Sequence, residues 1–262
     1  MEGLNDTQLC LVTAVDLEFK IATELLTDSR FSSEDRVQVC RGRVGRRQLT
    51  VLKSEIGAIG FPERLESHLE QNRYGGLVVA GLAGALDPGL RIGDAVVFNL
   101  CHHARFNPAW SNSRKKPPDC EENASINCDD KISALMMDNL RASGLPGVLG
   151  AGVTVSQIVT NAGDKARLGK QYRALAVDME TYEILTVCAG RGLPAAALRV
   201  VSDEAQTDLP DFNRALRPDG RMSGWGMGSA MLMSPWRSVR FLLGMKRVVG
   251  AFRASLKAVL WT

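Results

Sequence analysis

The sequence lacks several features, and each absence narrows the field. Its six cysteines (Cys10, Cys40, Cys101, Cys120, Cys128, Cys188) form no CxxC pair, so a disulfide framework is not expected and a reducing cytoplasm is the expected compartment. Histidine is scarce. The one cluster with ligand chemistry, Cys101-His102-His103, sets neighbours on opposite faces of a strand, and neither a metal nor a cofactor is expected. No apolar run reaches the about 18 residues of a membrane span. The opening MEGLNDTQLCLVTAVDLEFK has no basic stretch ahead of its short apolar run and soon meets Asp16 and Glu18, which reads as a first strand and not as a signal peptide. A basic body is missing too. The net charge is +3, yet residues 217 to 262 carry eight bases and one acid, so the surplus sits in the tail and the rest is net acidic. Nucleic-acid binding is therefore not expected.

What is present suits one sizeable core: 262 residues, 45% hydrophobic and 23% charged. Buried-looking apolar runs alternate with amphipathic ones. LCLVTAV (9 to 15) reads as a strand and is followed by a helical pattern through Leu26. Two strands flank a Gly-Arg turn in VQVCRGRVGRRQLTVLKSEIG, and FPERLESHLEQN is a helix opened by Pro62. GLVVAGLAG (76 to 84) and RIGDAVVF are strands, and a long polar loop is expected from Cys101 to Asp130. A helix (131 to 142), a strand (148 to 155), a helix (163 to 171), the strand ALAV, the helix METYEILTVCAGRG and the strand PAAALRVVSD complete the pattern. This predicts a single α/β domain with a mixed, largely parallel central sheet flanked by helices.

In such a sheet, ligands sit beyond the carboxyl ends of the strands. There the sequence concentrates carboxylates and bare backbone. Glu18 follows the first strand, Gly81 and Gly84 close LVVAGLAG, Asp178 and Glu180 follow ALAV, and Asp203 closes AALRVVSD. Carboxylates at the ends of buried elements cost folding energy unless they are used.

These segments, TAVDLE, EIGAIG, GLAGALDP…GD, VDMET and RVVSDEA, resemble in order the nucleoside phosphorylase and nucleosidase superfamily, over residues 9 to 205. The resemblance implies an enzyme that breaks the N-glycosidic bond of a purine nucleoside. Asp203 would donate a proton to the purine and Glu18 would activate water, an acid and a base flanking an oxocarbenium-like carbon. Glu180 would bond the ribose hydroxyls with Met179 packed on the sugar. Arg199, Ser202, Gly81, Leu82, Gly84 and Val159 would border the substrate, and Asp203 would need burial to hold its proton.

Two departures bear on chemistry and substrate. Neither TAVDLEFK nor GLAGAL contains an arginine, and Leu82 stands where a small hydroxyl residue is usual, so water is expected as nucleophile, with phosphate the alternative. PDFNRALRPDGRM and the basic tail resemble the branch associated with hopanoid biosynthesis, whose proposed substrate is the lipid-linked nucleoside adenosylhopane. Residues 1 to 216 would then be the catalytic domain and 217 to 262 a basic amphipathic extension. Within it, Leu242, Met245, Val249, Phe252, Leu256 and Val259 recur at helical spacing, a stripe that packs on the core or a second subunit, or lies on an anionic membrane. A homodimer, cytoplasmic and peripheral on the inner membrane face, is expected. A general methylthioadenosine/S-adenosylhomocysteine nucleosidase and a non-catalytic nucleoside- or lipid-binding protein are the other readings.

Overall fold

The computed structural model describes residues 8–104, 124–217, 220, 221 and 223–260. The chain starts with strand β1 (Leu9–Thr13) and helix α1 (Asp16–Thr23). It then forms an antiparallel extension of β2 (Thr27–Glu34), β3 (Val37–Val44) and β4 (Arg47–Lys53). β2 escapes sequence reading because none of its residues is buried; pairing with β3, not an apolar face, holds it. The first helix accordingly stops at Thr23 and not at Leu26.

After a 3-10 turn over Ile56–Ala58, α2 (Phe61–Gln71) carries Pro62 in its first turn, where a missing N–H is harmless. β5 (Gly76–Ala85) and β6 (Ala95–Ala104) follow. Cys101 to Ala104 thus belong to a strand and not to the expected loop, and β7 (Ser125–Asn127) folds back on them. Residues 105–123 of that loop, Cys120 included, lie outside the described residues. The rest alternates as expected: α3 (Asp130–Ala142), β8 (Gly147–Val155), α4 (Ala162–Tyr172), β9 (Ala174–Asp178), α5 (Thr181–Gly190) and β10 (Ala195–Asp203). Helices α6 (Gly224–Met233) and α7 (Pro235–Leu260) end the chain.

The sheet is mixed. β10, β6, β8, β9 and β5 pair in turn, and β10 also pairs with β5, so these five strands close on themselves. β1, β4, β3 and β2 extend outward from β5. One detail positions the site. β1 pairs with β5 as far as Val79, in parallel, whereas β9 pairs with it antiparallel only from Gly84. Between those points the two neighbours diverge, and a crevice opens as at the switch point of an open α/β sheet.

The expected stripe on the tail divides along its length. Phe252, Leu256 and Val259 are buried and join the main core, whereas Leu242 is 53% exposed. α7 packs on β10, α3 and α1, so its second half belongs to the same core as the sheet. Among the described residues, no helix is long and apolar enough to cross a membrane.

Candidate active site

Glu18 sits in the first turn of α1, and its side chain turns back on the loop that precedes the helix. Oε2 accepts from the backbone N–H of Ala14 (2.9 Å) and of Val15 (3.1 Å), as a carboxylate at this position of a helix does. Oε1 accepts from the N–H of Leu82 at 2.8 Å, inside the stretch of β5 where β1 has ended and β9 has not begun. Glu18 is only 3% exposed. Burial raises its pKa above the ordinary value, against the pull of Arg199 and the three N–H donors. Gly81 makes the arrangement possible, because a Cβ there would lie 2.9 Å from Glu18 Oε1 and collide with the Arg199 guanidinium.

Glu180 directly precedes α5, and its Oε1 accepts from the N–H of Gly57 at 2.9 Å. Gly57 holds φ of 74° within the 3-10 turn, a left-handed conformation that favours glycine. Arg199, on β10 and 1% exposed, reaches Asp178 Oδ2 at 2.6 Å and Glu180 Oε2 at 3.4 Å. It also donates to Thr181 Oγ1 at 2.7 Å. Burial pushes the Glu180 carboxyl up to about 7, Arg199 opposing and Asp178 reinforcing. Arg199 is thus enclosed among side chains behind the carboxylates.

Asp203 ends β10 at a register shift, where Val201 faces Ala83 but Asp203 faces Gly84. The irregularity turns its side chain into the crevice. Ser202 Oγ donates to Asp203 Oδ1 at 2.6 Å. Lys165 Nζ donates to Asp203 Oδ2 and, at 3.0 Å each, to the carbonyls of Glu204 and Thr207. Lys165 is fully buried, and these partners satisfy its three protons.

A cavity of about 230 Å³ joins the pieces. Glu18, Leu82, Gly84, Val159, Met179, Glu180, Ser202 and Asp203 line it, together with Ile158, Leu209, Phe212 and Met245. Of the ten residues singled out in the sequence, Gly81 and Arg199 alone stand back from its wall, and both act through Glu18 and Glu180. No lysine or arginine among the described residues lines it. A larger hollow of about 660 Å³ beside α4 contains none of the three site carboxylates. His102 and His103 point apart, one against Tyr172 and the other against Tyr182.

Sequence reading missed Lys165, Gly57 and the apolar wall of Ile158, Leu209 and Phe212, and it placed Met245 on the tail stripe but not at the site. One signal for Lys165 existed: it precedes Leu168 and Tyr172 at helical spacing, a lysine on the buried face of α4.

Fold and site together define an α/β protein of the nucleoside phosphorylase type. Residues 8–217 match the model of the Phosphorylase superfamily, and the chain belongs to that superfamily. Among solved structures it is similar to the 5′-methylthioadenosine/S-adenosylhomocysteine nucleosidase of Neisseria meningitidis in complex with methylthio-immucillin-A. That likeness has a TM-score of 0.72 and 18% identity over 97% of this chain and 98% of the other. The futalosine hydrolase of Helicobacter pylori strain 26695 superposes with a TM-score of 0.66 and 20% identity, over 91% of this chain and 97% of that one. A mutant nucleosidase of Helicobacter pylori with 5′-methylthioadenosine in its active site gives 0.66 and 20%, over 92% and 98%.

Proposed function

We propose that the chain hydrolyses the N-glycosidic bond of a purine nucleoside and releases adenine. One observation carries the reading: Asp203, Glu18 and Glu180 converge on one small cavity that, among the described residues, no lysine or arginine lines. Leaving-group protonation and water activation require an acid and a base on either side of the ribosyl carbon. Asp203, a carboxylate against Lys165 in the free site, takes up a proton with the bound nucleoside and gives it to the departing purine, and Lys165 stabilises the carboxylate that is restored. Glu18, raised by burial, takes a proton from the attacking water. Glu180 holds the ribose hydroxyls and Met179 packs on the sugar. A phosphate dianion would need cationic partners, and the described lining residues offer none, so water is the nucleophile in this reading. No cofactor, metal or nucleic acid takes part.

The preferred substrate carries an apolar group, as adenosylhopane does, because Ile158, Leu209, Phe212 and Met245 extend the cavity wall beyond the polar groups. In this reading the protein works as a homodimer in the cytoplasm, against the inner face of the membrane. A general methylthioadenosine/S-adenosylhomocysteine nucleosidase is the second reading, favoured by the full-length similarity to the Neisseria enzyme.

Incubation with adenosine, methylthioadenosine, adenosylhomocysteine and an adenosine bearing a bulky 5′ hydrocarbon, each with and without phosphate, tests both. The expected result is free adenine and free sugar without phosphate, fastest for the hydrocarbon substrate. Strict phosphate dependence with sugar 1-phosphate as product would overturn hydrolysis. Equal or better turnover of methylthioadenosine would move the protein to the second reading. No turnover of any of them by wild type, with binding intact, would leave a nucleoside-binding protein. Asp203→Asn should release base about 10² to 10⁴ more slowly.

A further inference from the structure

Helix α6 and the first half of α7 expose what a folded domain normally covers. Trp225 is 93% exposed, Trp236 and Leu232 are each 83%, Leu243 is 76% and Met233 is 67%. They belong to one helical hairpin, in which Ser238 Oγ on α7 donates to the carbonyl of Met231 on α6 at 3.0 Å. Exposed apolar groups gathered this way mark an interaction surface.

Two further observations identify what covers it. The first is charge. Between residues 209 and 249 the sequence holds seven bases and two acids. The side chains of Arg237, Arg214 and Arg221 remain 52%, 60% and 65% exposed although each has one acidic neighbour. Lys246 and Arg247 are exposed as well. Tryptophan and leucine framed by arginine and lysine suit the interface of an anionic bilayer. A two-fold contact with a second copy would set this basic rim against itself. The second observation is continuity with the site. Leu209, Phe212 and Ala230 form an apolar cluster with Ile158 and Met231, and three of those five line the cavity. Met245, little more than two turns past Trp236 on α7, lines it too. An apolar path therefore leads from the carboxylates to the exposed hairpin.

We propose that α6 and the first half of α7 form a docking surface for an anionic lipid bilayer. Trp225, Leu232, Trp236 and Leu243 enter the interface while the basic rim meets the headgroups. The nearby cavity is thereby placed to receive a nucleoside whose hydrocarbon substituent stays in the bilayer, a consequence that rests on the lipid-linked substrate proposed above. The docking surface does not run the whole length of the tail, since Phe252, Leu256 and Val259 are buried in the core.

The test uses the full chain and vesicles of phosphatidylcholine with or without phosphatidylglycerol. Wild type should sediment with the phosphatidylglycerol vesicles at low salt and be released at high salt, where the headgroup charge is screened. A Trp225→Ser, Trp236→Ser, Leu243→Ser variant should bind these vesicles about tenfold or more weakly. Its thermal melt and its cleavage of water-soluble adenosine should match wild type, since none of the three residues lines the cavity. The single variant Trp236→Ser, with a smaller loss of binding, repeats the test if the triple variant folds poorly. Wild type left in the supernatant at low salt, variants that bind as well as wild type, or binding indifferent to lipid charge would each overturn docking. A triple variant that turns a dimer into a monomer while vesicle capture is absent throughout would assign the surface to a second copy. Failure of wild type to cleave soluble nucleosides would overturn the nucleosidase reading alone, because vesicle capture does not depend on turnover.

Discussion

The two ends of the cavity hold their carboxylates in different ways. At one end Arg199 is shared: it pairs with Asp178 and Glu180, donates to Thr181, and lies beside Glu18 across Gly81. At the other end Lys165 has one carboxylate, Asp203, and otherwise only backbone carbonyls. A shared cation leaves each acid with partial compensation and lets burial raise Glu180 to about 7. A dedicated cation ties the state of one acid to one lysine. The difference shows that a buried charge can be distributed or exclusive within one site, and that the cost of losing a group depends on which arrangement it belongs to.

The largest effect should come from the centre of the shared network. Arg199→Met leaves three buried carboxylates without their common cation, and unfolding in urea should show a loss of about 3 to 5 kcal/mol or no stable fold. Stability close to wild type would mean that the carboxylates do not depend on Arg199.

Next comes the exclusive pair. Lys165→Met should cost about 3 kcal/mol by stranding Asp203, and Asp203→Asn should likewise cost stability by stranding Lys165. The near-isosteric shape of asparagine does not protect the fold, since it is charge that is lost. The double variant should recover most of the stability while remaining as slow in base release as Asp203→Asn alone. A loss in the double variant equal to the sum of the two single losses would show that the pair is not exclusive.

A smaller change is expected for Glu180→Gln. Arg199 keeps Asp178, and the amide can still accept from Gly57, so the loss should be about 1 kcal/mol. A cost as large as that of Lys165→Met would erase the distinction between the two ends. Nucleoside affinity measured by calorimetry should fall far more than stability, because Glu180 lines the cavity.

The smallest effect is one of pH. Glu183, outside the cavity, is also raised by burial to about 7 from an ordinary 4.5. A carboxyl with a raised folded pKa binds more protons folded than unfolded between those values. Its contribution to stability is complete below about pH 4.5 and is lost as pH rises through about 7. Thermal melts across that window should decline less steeply in Glu183→Gln than in wild type. An unchanged slope would place the Glu183 pKa near its ordinary value.

Legibility in the sequence followed the range of the interaction. The strand ends that carry Glu18, Glu180 and Asp203 could be read because each follows an apolar run of recognisable period. β2 could not, because none of its residues is buried and it owes its existence to a neighbour. The tail shows both outcomes in one helix. Its spacing is helical from Leu242 to Val259, yet Leu242 faces outward and Phe252 is fully buried. Periodicity reports a shared face; it does not say where the partner of that face ends.

By itself the sequence determined the alternation of elements, the acids at their ends and the absence of arginine from the two segments expected to cradle phosphate. These are local properties, set by side-chain period and strand termination within a few residues. Only the tertiary structure decided that Lys165 meets Asp203 across 38 residues, that Gly57 meets Glu180 across 123, and that Arg199 stands behind the acids and not on the cavity wall. Such contacts depend on how far β1 runs beside β5 before β9 replaces it. No local pattern encodes that length, because it is the packing of the closed five-stranded ring that settles where the strands part.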